Sequence, residues 1–178
     1  MRSFIALPLP DEIADELERF AARLKLGRPQ PFENLHITLA FLGDQPRDAL
    51  LDVHEVLEAT PLPAVDAEFT GLEPLGGKQP SVLGWMVSGV DGLQKQVLSC
   101  VRRAGIMLPH RRFRAHVTLA RLPRKPMPED MASLGHALET HGAVRFRAVP
   151  LNILSLYQSE LHPDGARYEV LADYPLTF

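Results

Sequence analysis

Residues 36–43 read HITLAFLG and residues 116–123 read HVTLARLP. Histidine, an apolar β-branched residue, threonine and leucine therefore follow one another twice in one chain, eighty positions apart (116 minus 36). Each copy opens with polar and apolar side chains in alternation, the pattern of a half-buried strand. A chain that repeats such a strand together with its surroundings is constrained to a duplicated fold. Its two copies of that strand then lie face to face across a pseudo-two-fold axis.

The surroundings do repeat. RSFIALPLP predicts a strand ended by prolines. DEIADELERFAARLKLG predicts a helix with Ile13, Leu17, Phe20 and Leu24 on one side, acids early, Lys25 late and Gly27 as the expected C-cap. NLHITLAFLG is then a strand, and PRDALLDVHEVLEA a helix opened by Pro46 with Leu50, Val53 and Leu57 inward. The stretch 60–80, rich in Pro and Gly around the strand AVDAEFTGLEPL, is where the chain is expected to change lobes. A strand SVLGWMVSG, a helix DGLQKQVLSCVRRAG, a strand FRAHVTLARL and a helix EDMASLGHALETHG come next. VPLNILSLYQSEL and ARYEVLADYPL are expected to close the chain as a hairpin. The order strand, helix, His-bearing strand, helix, strand thus occurs twice, and no linker is long enough to separate independent domains. Residues 1–178 are expected to form one two-lobed domain.

Side chains at i and i+2 of a strand share a face. His36 therefore projects with Thr38, and His116 with Thr118, while Ile37, Leu39 and Phe41, or Val117 and Leu119, face a core. Ala40 and Ala120 are small residues expected on the polar face, leaving room for a ligand. Two imidazoles and two hydroxyls then line one cleft. Imidazole titrates nearest neutral pH, so two histidines can supply the base and the acid that phosphodiester cleavage needs. The threonine hydroxyls can donate hydrogen bonds to the non-bridging oxygens, where charge grows in the transition state. No metal is required by this scheme. Zinc is the competing use of His36 and His116, but neither motif has the close second His, Cys or carboxylate of a zinc site.

The chain has a formal net charge of −3, which excludes a general polyanion binder, so any contact with a nucleic acid must be local. A local excess exists: HRRFRAHVTLARLPRK gathers Arg111, Arg112, Arg114, Arg121, Arg124 and Lys125 about the second motif. Strict alternation turns Arg121 the same way as Val117 and Leu119, away from the cleft, unless the strand twists or ends there. His54, His110, His136, His141 and His162 are expected to be structural or solvated, and Trp85, Phe113 and Tyr157 to belong to the core. Cys100 is the only cysteine, so no internal disulfide can form and a reducing cytoplasmic setting fits. The apolar N-terminus is short, carries two prolines and runs into acids, which argues against a signal peptide or a membrane span.

NLHITLAFLG and FRAHVTLAR, with RSFIALPLP, VLGW and LYQSELHPDGARYEVLADYPL, closely resemble the bacterial RNA 2′,3′-cyclic phosphodiesterases, also called 2′-5′ RNA ligases, of the two-histidine phosphoesterase superfamily. The resemblance covers essentially the whole chain. It implies a bilobal α+β fold, each lobe an antiparallel sheet with outer helices, enclosing an active-site groove. It implies hydrolysis of a terminal 2′,3′-cyclic phosphate on RNA, tRNA fragments included, to a 2′-phosphate by a cytoplasmic monomer without cofactor. By the same resemblance His36 is the proton donor, His116 the proton acceptor, and Thr38, Thr118 and Arg121 hold the phosphate. Reversal with a 5′-hydroxyl in place of water would form a 2′-5′ linkage. The alternatives are a phosphodiesterase acting on small nucleotides or ADP-ribose cyclic phosphate, and a non-catalytic module that binds RNA ends.

Overall fold

The duplicated order of elements is the order found. The computed structural model describes residues 1–143 and 147–178. The first unit consists of β1 (Arg2–Pro8), α1 (Asp11–Leu24), a two-residue β2 (Arg28–Pro29), a single 3-10 turn at Phe32–Asn34, β3 (His36–Asp44) and α2 (Arg47–Ala59). The second consists of β4 (Val65–Leu75), β5 (Val82–Ser88), α3 (Asp91–Arg103), β6 (His116–Arg121) and α4 (Pro128–His141). β7 (Val149–Leu151), β8 (Ile153–His162) and β9 (Gly165–Pro175) close the chain. The passage between units falls between α2 and β4, within the Pro- and Gly-rich stretch.

The strands form an α+β arrangement in the order β7-β4-β5-β6-β3-β1-β8-β9, with β2 added beside β6. Every named strand pair is antiparallel. One lobe is β3-β1-β8-β9 and the other β7-β4-β5-β6. They meet where the two His-bearing strands touch, at the single bridge Ile37↔Val117. Beyond that bridge the strands diverge, and the space between them is the groove.

The expected closing hairpin is split. Val149–Leu151 pairs with β4 at the far edge of the second lobe, whereas Ile153–His162 pairs with β1 and β9 in the first. Asn152 is the point of crossing, and one continuous apolar stretch thereby serves both lobes.

The helices are exchanged between lobes. α1 follows β1 but lies against β6, with Phe20 packed on Trp85 of β5 at a ring separation of 4.9 Å. α3 follows β5 but lies against β3, where the buried Gln94 side chain donates to the Leu39 carbonyl at 3.5 Å. Trp85, Ile37, Val117 and Leu119 are fully buried in the single large core beneath the sheet. The opposite face carries a smaller apolar set, Phe4, Ala6 and Tyr157, with Tyr168 against it.

The C-terminal cap of α1 is Lys25 rather than Gly27, with a left-handed φ of 52°. Gly27 also has a positive φ, 50°, but serves a different need: a Cβ there would lie 2.1 Å from the Arg121 carbonyl oxygen. It lets the chain run close enough to pair as β2 with β6. No helix among the described residues is long and apolar enough to cross a membrane.

Candidate active site

His36 and Thr38, and His116 and Thr118, emerge half-buried on the face opposite the large core, as alternation requires. Beyond the threonines, alternation breaks in both strands at the same place. In the β1–β3 pairing Ile5 faces Ala40 and Ala6 faces Thr38, which leaves Leu39 as an extra residue. In the β5–β6 pairing Leu83 faces Ala120 and Gly84 faces Thr118, leaving Leu119 extra. Both are β-bulges, each adding one residue and reversing the facing of the residues after it. The carbonyl of Leu39 is met by the Gln94 side chain, and that of Leu119 by the Gln30 backbone N–H at 2.8 Å.

The bulges correct two expectations and supply the turn that Arg121 needs. Ala40 is a core residue at 5% exposure rather than a floor of the cleft, and Ala120 is likewise buried. Phe41 leaves the core and stands 67% exposed on the groove side, where its ring is 6.2 Å from that of Phe4. Arg121 turns into the groove, where its charge acts on His36. The room for a ligand comes instead from Ala6 and Gly84, which lie opposite the two threonines. A Cβ on Gly84 would meet the His116 ring at 3.2 Å.

The two imidazoles sit in unlike surroundings. His36 is walled by aromatic rings: Phe4 stacks on it at 4.9 Å, Tyr157 lies at 5.9 Å, and Tyr168 meets it edge-on at 5.3 Å. Burial among them lowers its pKa to about 4, against the pull of a hydrogen bond to the Asn34 backbone, and the charges of His116 and Arg121 push it the same way as burial. Its Nε2 lies 2.9 Å from the Thr38 hydroxyl. His116 has Nδ1 2.7 Å from the Arg114 carbonyl. A carbonyl only accepts, so Nδ1 carries the hydrogen, and the neutral ring keeps its lone pair on Nε2.

The displaced pKa of His36 has a consequence for folding. The unfolded chain takes up a proton near pH 6.5 and the folded one only near 4. Stability is therefore fully present above pH 6.5 and falls as the pH drops toward 4. The whole displacement corresponds to about 3 kcal/mol, and partial exposure of the ring to the groove lowers it to roughly 1–2 kcal/mol. Urea unfolding of His36→Gln should accordingly show a shallower loss between pH 6.5 and 4 than the unsubstituted chain. Parallel curves would mean that His36 is not held neutral.

Arg114 of the basic cluster is spent on an ion pair with Glu73, and Arg111 and Arg112 are solvated. The groove's other arginines, Arg28 and Arg167, come from distant segments, and no local pattern announces them. Phe41 did carry a signal: it stands five places after His36, as Arg121 stands five after His116. His54 bonds the Tyr174 hydroxyl at 3.0 Å, His141 packs on Phe20, and Cys100 is buried, all remote from the groove. Among the described residues no three His, Cys, Asp or Glu side chains converge as a metal site.

A family model described as LigT-like phosphoesterase matches residues 7–81. The RNA 2′,3′-cyclic phosphodiesterase of Methanocaldococcus jannaschii is 24% identical over 178 positions, covering 98% of this chain and 100% of the relative. That of Thermus thermophilus is 29% identical over 195 positions, covering 99% and 90%. Among solved structures, TT0787 of Thermus thermophilus superposes with a TM-score of 0.76 at 26% identity, covering 99% of this chain and 98% of that one. E. coli LigT complexed with 3′-AMP gives the same TM-score at 22% identity and the same coverage, a likeness of fold. Two bulged strands each presenting His-x-Thr on one face, and relatives matched over nearly their whole length, make this chain similar to the LigT-like phosphoesterases and to proteins named RNA 2′,3′-cyclic phosphodiesterase.

Proposed function

We propose that the chain hydrolyses the 2′,3′-cyclic phosphate at the end of an RNA to a 2′-phosphomonoester, without a metal. The observation that carries this is the pairing of two unlike imidazoles, close enough for the charge of one to act on the other, with Arg121 acting on the same ring. Relatives along the whole chain bear the name of that activity. In this reading Nε2 of His116 takes a proton from water as its oxygen bonds to phosphorus. The bond from phosphorus to the 3′ oxygen breaks, and His36 gives that oxygen its proton. Thr38, Thr118 and Arg121 hold the phosphate oxygens, and the exposed Phe41 offers a ring to the terminal base.

His36 is neutral at pH 7 in the free protein, so its role as acid requires proton uptake on binding. An anionic cyclic phosphate supplies a cause, since a negative charge beside the ring favours its protonated form against the burial and the positive neighbours that depress its pKa. With a 5′-hydroxyl in place of water the same groups would run the step toward a 2′-5′ linkage. A buried free cysteine fits work in a reducing cytoplasm, as a monomer that finds RNA fragments, those of tRNA included.

The test is incubation in EDTA with a short RNA ending in a 2′,3′-cyclic phosphate. A 2′-phosphate product at an undiminished rate is expected. Activity that appears only after a divalent metal is restored would refute the metal-free scheme, and a 3′-phosphate product would exchange the leaving oxygen.

A further inference from the structure

We propose that the groove beside Arg121 is a second phosphate subsite, built by Arg28 and Arg167, for the phosphate on the 5′ oxygen of the terminal nucleoside. The inference rests on the cyclic phosphodiesterase reading and extends it from one nucleotide to a chain. The groove has a volume of about 390 Å³ and runs from Arg121 and Tyr168 outward to Arg28, Asn34 and Arg167. Its inner end adjoins the histidine pair, because two of its lining residues, Tyr168 and Arg121, are neighbours of His36: Tyr168 meets the His36 ring edge-on and the Arg121 charge acts on it.

Three parts of the sequence build its walls. β2 places Arg28 directly beside Arg121 in the β2–β6 pairing. The turn before β3 supplies Asn34, whose side-chain amide donates to the Ala166 carbonyl at 3.0 Å and ties that turn to the β8–β9 hairpin. The hairpin brings Gly165, Arg167 and Tyr168. Gly165 has a φ of 128°, and a Cβ on it would stand 3.6 Å from a guanidinium nitrogen of Arg28. Arg28 is thus laid along bare backbone and kept in the groove.

The charges favour an anion there. Neither Arg28 nor Arg121 has a carboxylate partner among the described residues, and Arg167 has only a long, solvent-exposed contact of 3.4 Å with Asp164. Glu33 and Asp164 are the acids on the lining, against three arginines. Arg28, left without a carboxylate, and Arg167, held only by that long exposed contact, stand beside Arg121 and suit a second phosphate, which guanidinium binds through two parallel hydrogen bonds. In an RNA end the group one step from the cyclic phosphate is the phosphate on O5′.

Two sources share this chemistry: the internucleotide phosphodiester of an RNA, and the monoester of a 5′-phosphorylated mononucleotide. kcat/KM would be measured on a nucleoside 2′,3′-cyclic phosphate with a free 5′-hydroxyl, on its 5′-phosphate, and on the dinucleotide with the same cyclic end. The unsubstituted protein should prefer the two phosphorylated substrates. The exposed pair Arg28→Gln with Arg167→Gln should lose roughly 10-fold or more on them, as expected for charged hydrogen bonds, and little on the 5′-hydroxyl substrate. The salt dependence of dinucleotide binding should flatten by about 0.7 in log–log slope for the phosphate released. A loss confined to the dinucleotide assigns the subsite to an RNA chain, and an equal loss on both assigns it to a 5′ phosphate of either source. Equal effects on all three substrates, or none, would overturn the subsite while leaving the phosphodiesterase reading intact. Failure of the unsubstituted protein on every cyclic phosphate would remove that reading and the subsite with it.

Discussion

Replacing His116 by alanine should lower turnover of an RNA 2′,3′-cyclic phosphate by roughly 10²- to 10⁴-fold, the range for a lost acid or base, and His36→Ala should do the same. The double variant should fall little further, because the two groups act in one step and their effects do not add. Equal losses do not say which ring gives the proton and which takes it, but a change of leaving group does. With sulfur in place of the 3′ bridging oxygen, the leaving thiolate needs no proton. That substrate should restore most of the activity of His36→Ala and none of that of His116→Ala. Rescue of His116→Ala instead would exchange the two roles. The hydrogen bond from His116 Nδ1 to the Arg114 carbonyl leaves its Nε2 bare to accept, but His36 is likewise bonded to the Asn34 backbone, so the leaving-group test and not the tautomer decides between the roles. Thr38→Ala and Thr118→Ala should cost about 10-fold, since each removes one neutral hydrogen bond. A threonine variant as damaged as its histidine counterpart would show that the hydroxyl does more than bind phosphate.

The largest effect on stability is expected at Gly27. Alanine there must hold a φ of 50° and place its Cβ 2.1 Å from the Arg121 carbonyl oxygen, which belongs to backbone and cannot rotate aside. The left-handed conformation alone costs roughly 1–2 kcal/mol. Relieving the collision adds roughly 1–3 kcal/mol of strain, or undoes the β2–β6 pairing. A fall in the urea midpoint of roughly 1 M or more should result. Gly92→Ala is the control: it lies in α3 with nothing within 4 Å of the added carbon, and should stabilise by about 0.5 kcal/mol. If Gly27→Ala and the unsubstituted chain unfold together, β2 does not depend on that close approach. Loss of β2 would also move Arg28 and Arg121, so activity should fall with stability.

Most of the fold was legible because it rests on periodicity. The apolar spacing of Ile13, Leu17, Phe20 and Leu24, and of Leu93, Val97 and Val101, places α1 and α3 without ambiguity, and the repeated motif implies the two lobes. Pairings decided by distant chain were not legible. Nothing local to residues 149–162 says that Asn152 divides two lobes. The site was legible as far as the threonines, where alternation holds, and not beyond. A bulge depends on the partner strand's register, so Leu39 and Leu119 look like ordinary core positions in the sequence. Their extra residues are the reason Arg121 reaches the groove and Phe41 leaves the core. The difference between the two histidines was equally hidden, since it comes from Phe4, Tyr157 and Tyr168, which are far from His36 in sequence.

The exchange of helices between lobes bears on how the groove can work over time. α1 and α3 each clasp the opposite lobe, and the sheets themselves touch by one backbone bridge. A hinge that widened the groove would have to peel Phe20 from Trp85 and expose apolar surface on both sides. The spacing of the two imidazole rings is therefore tied to packing on both lobes, and widening it would cost buried apolar surface. A substrate entering such a groove would find the two imidazoles already spaced, without a closing motion of the lobes to bring them together.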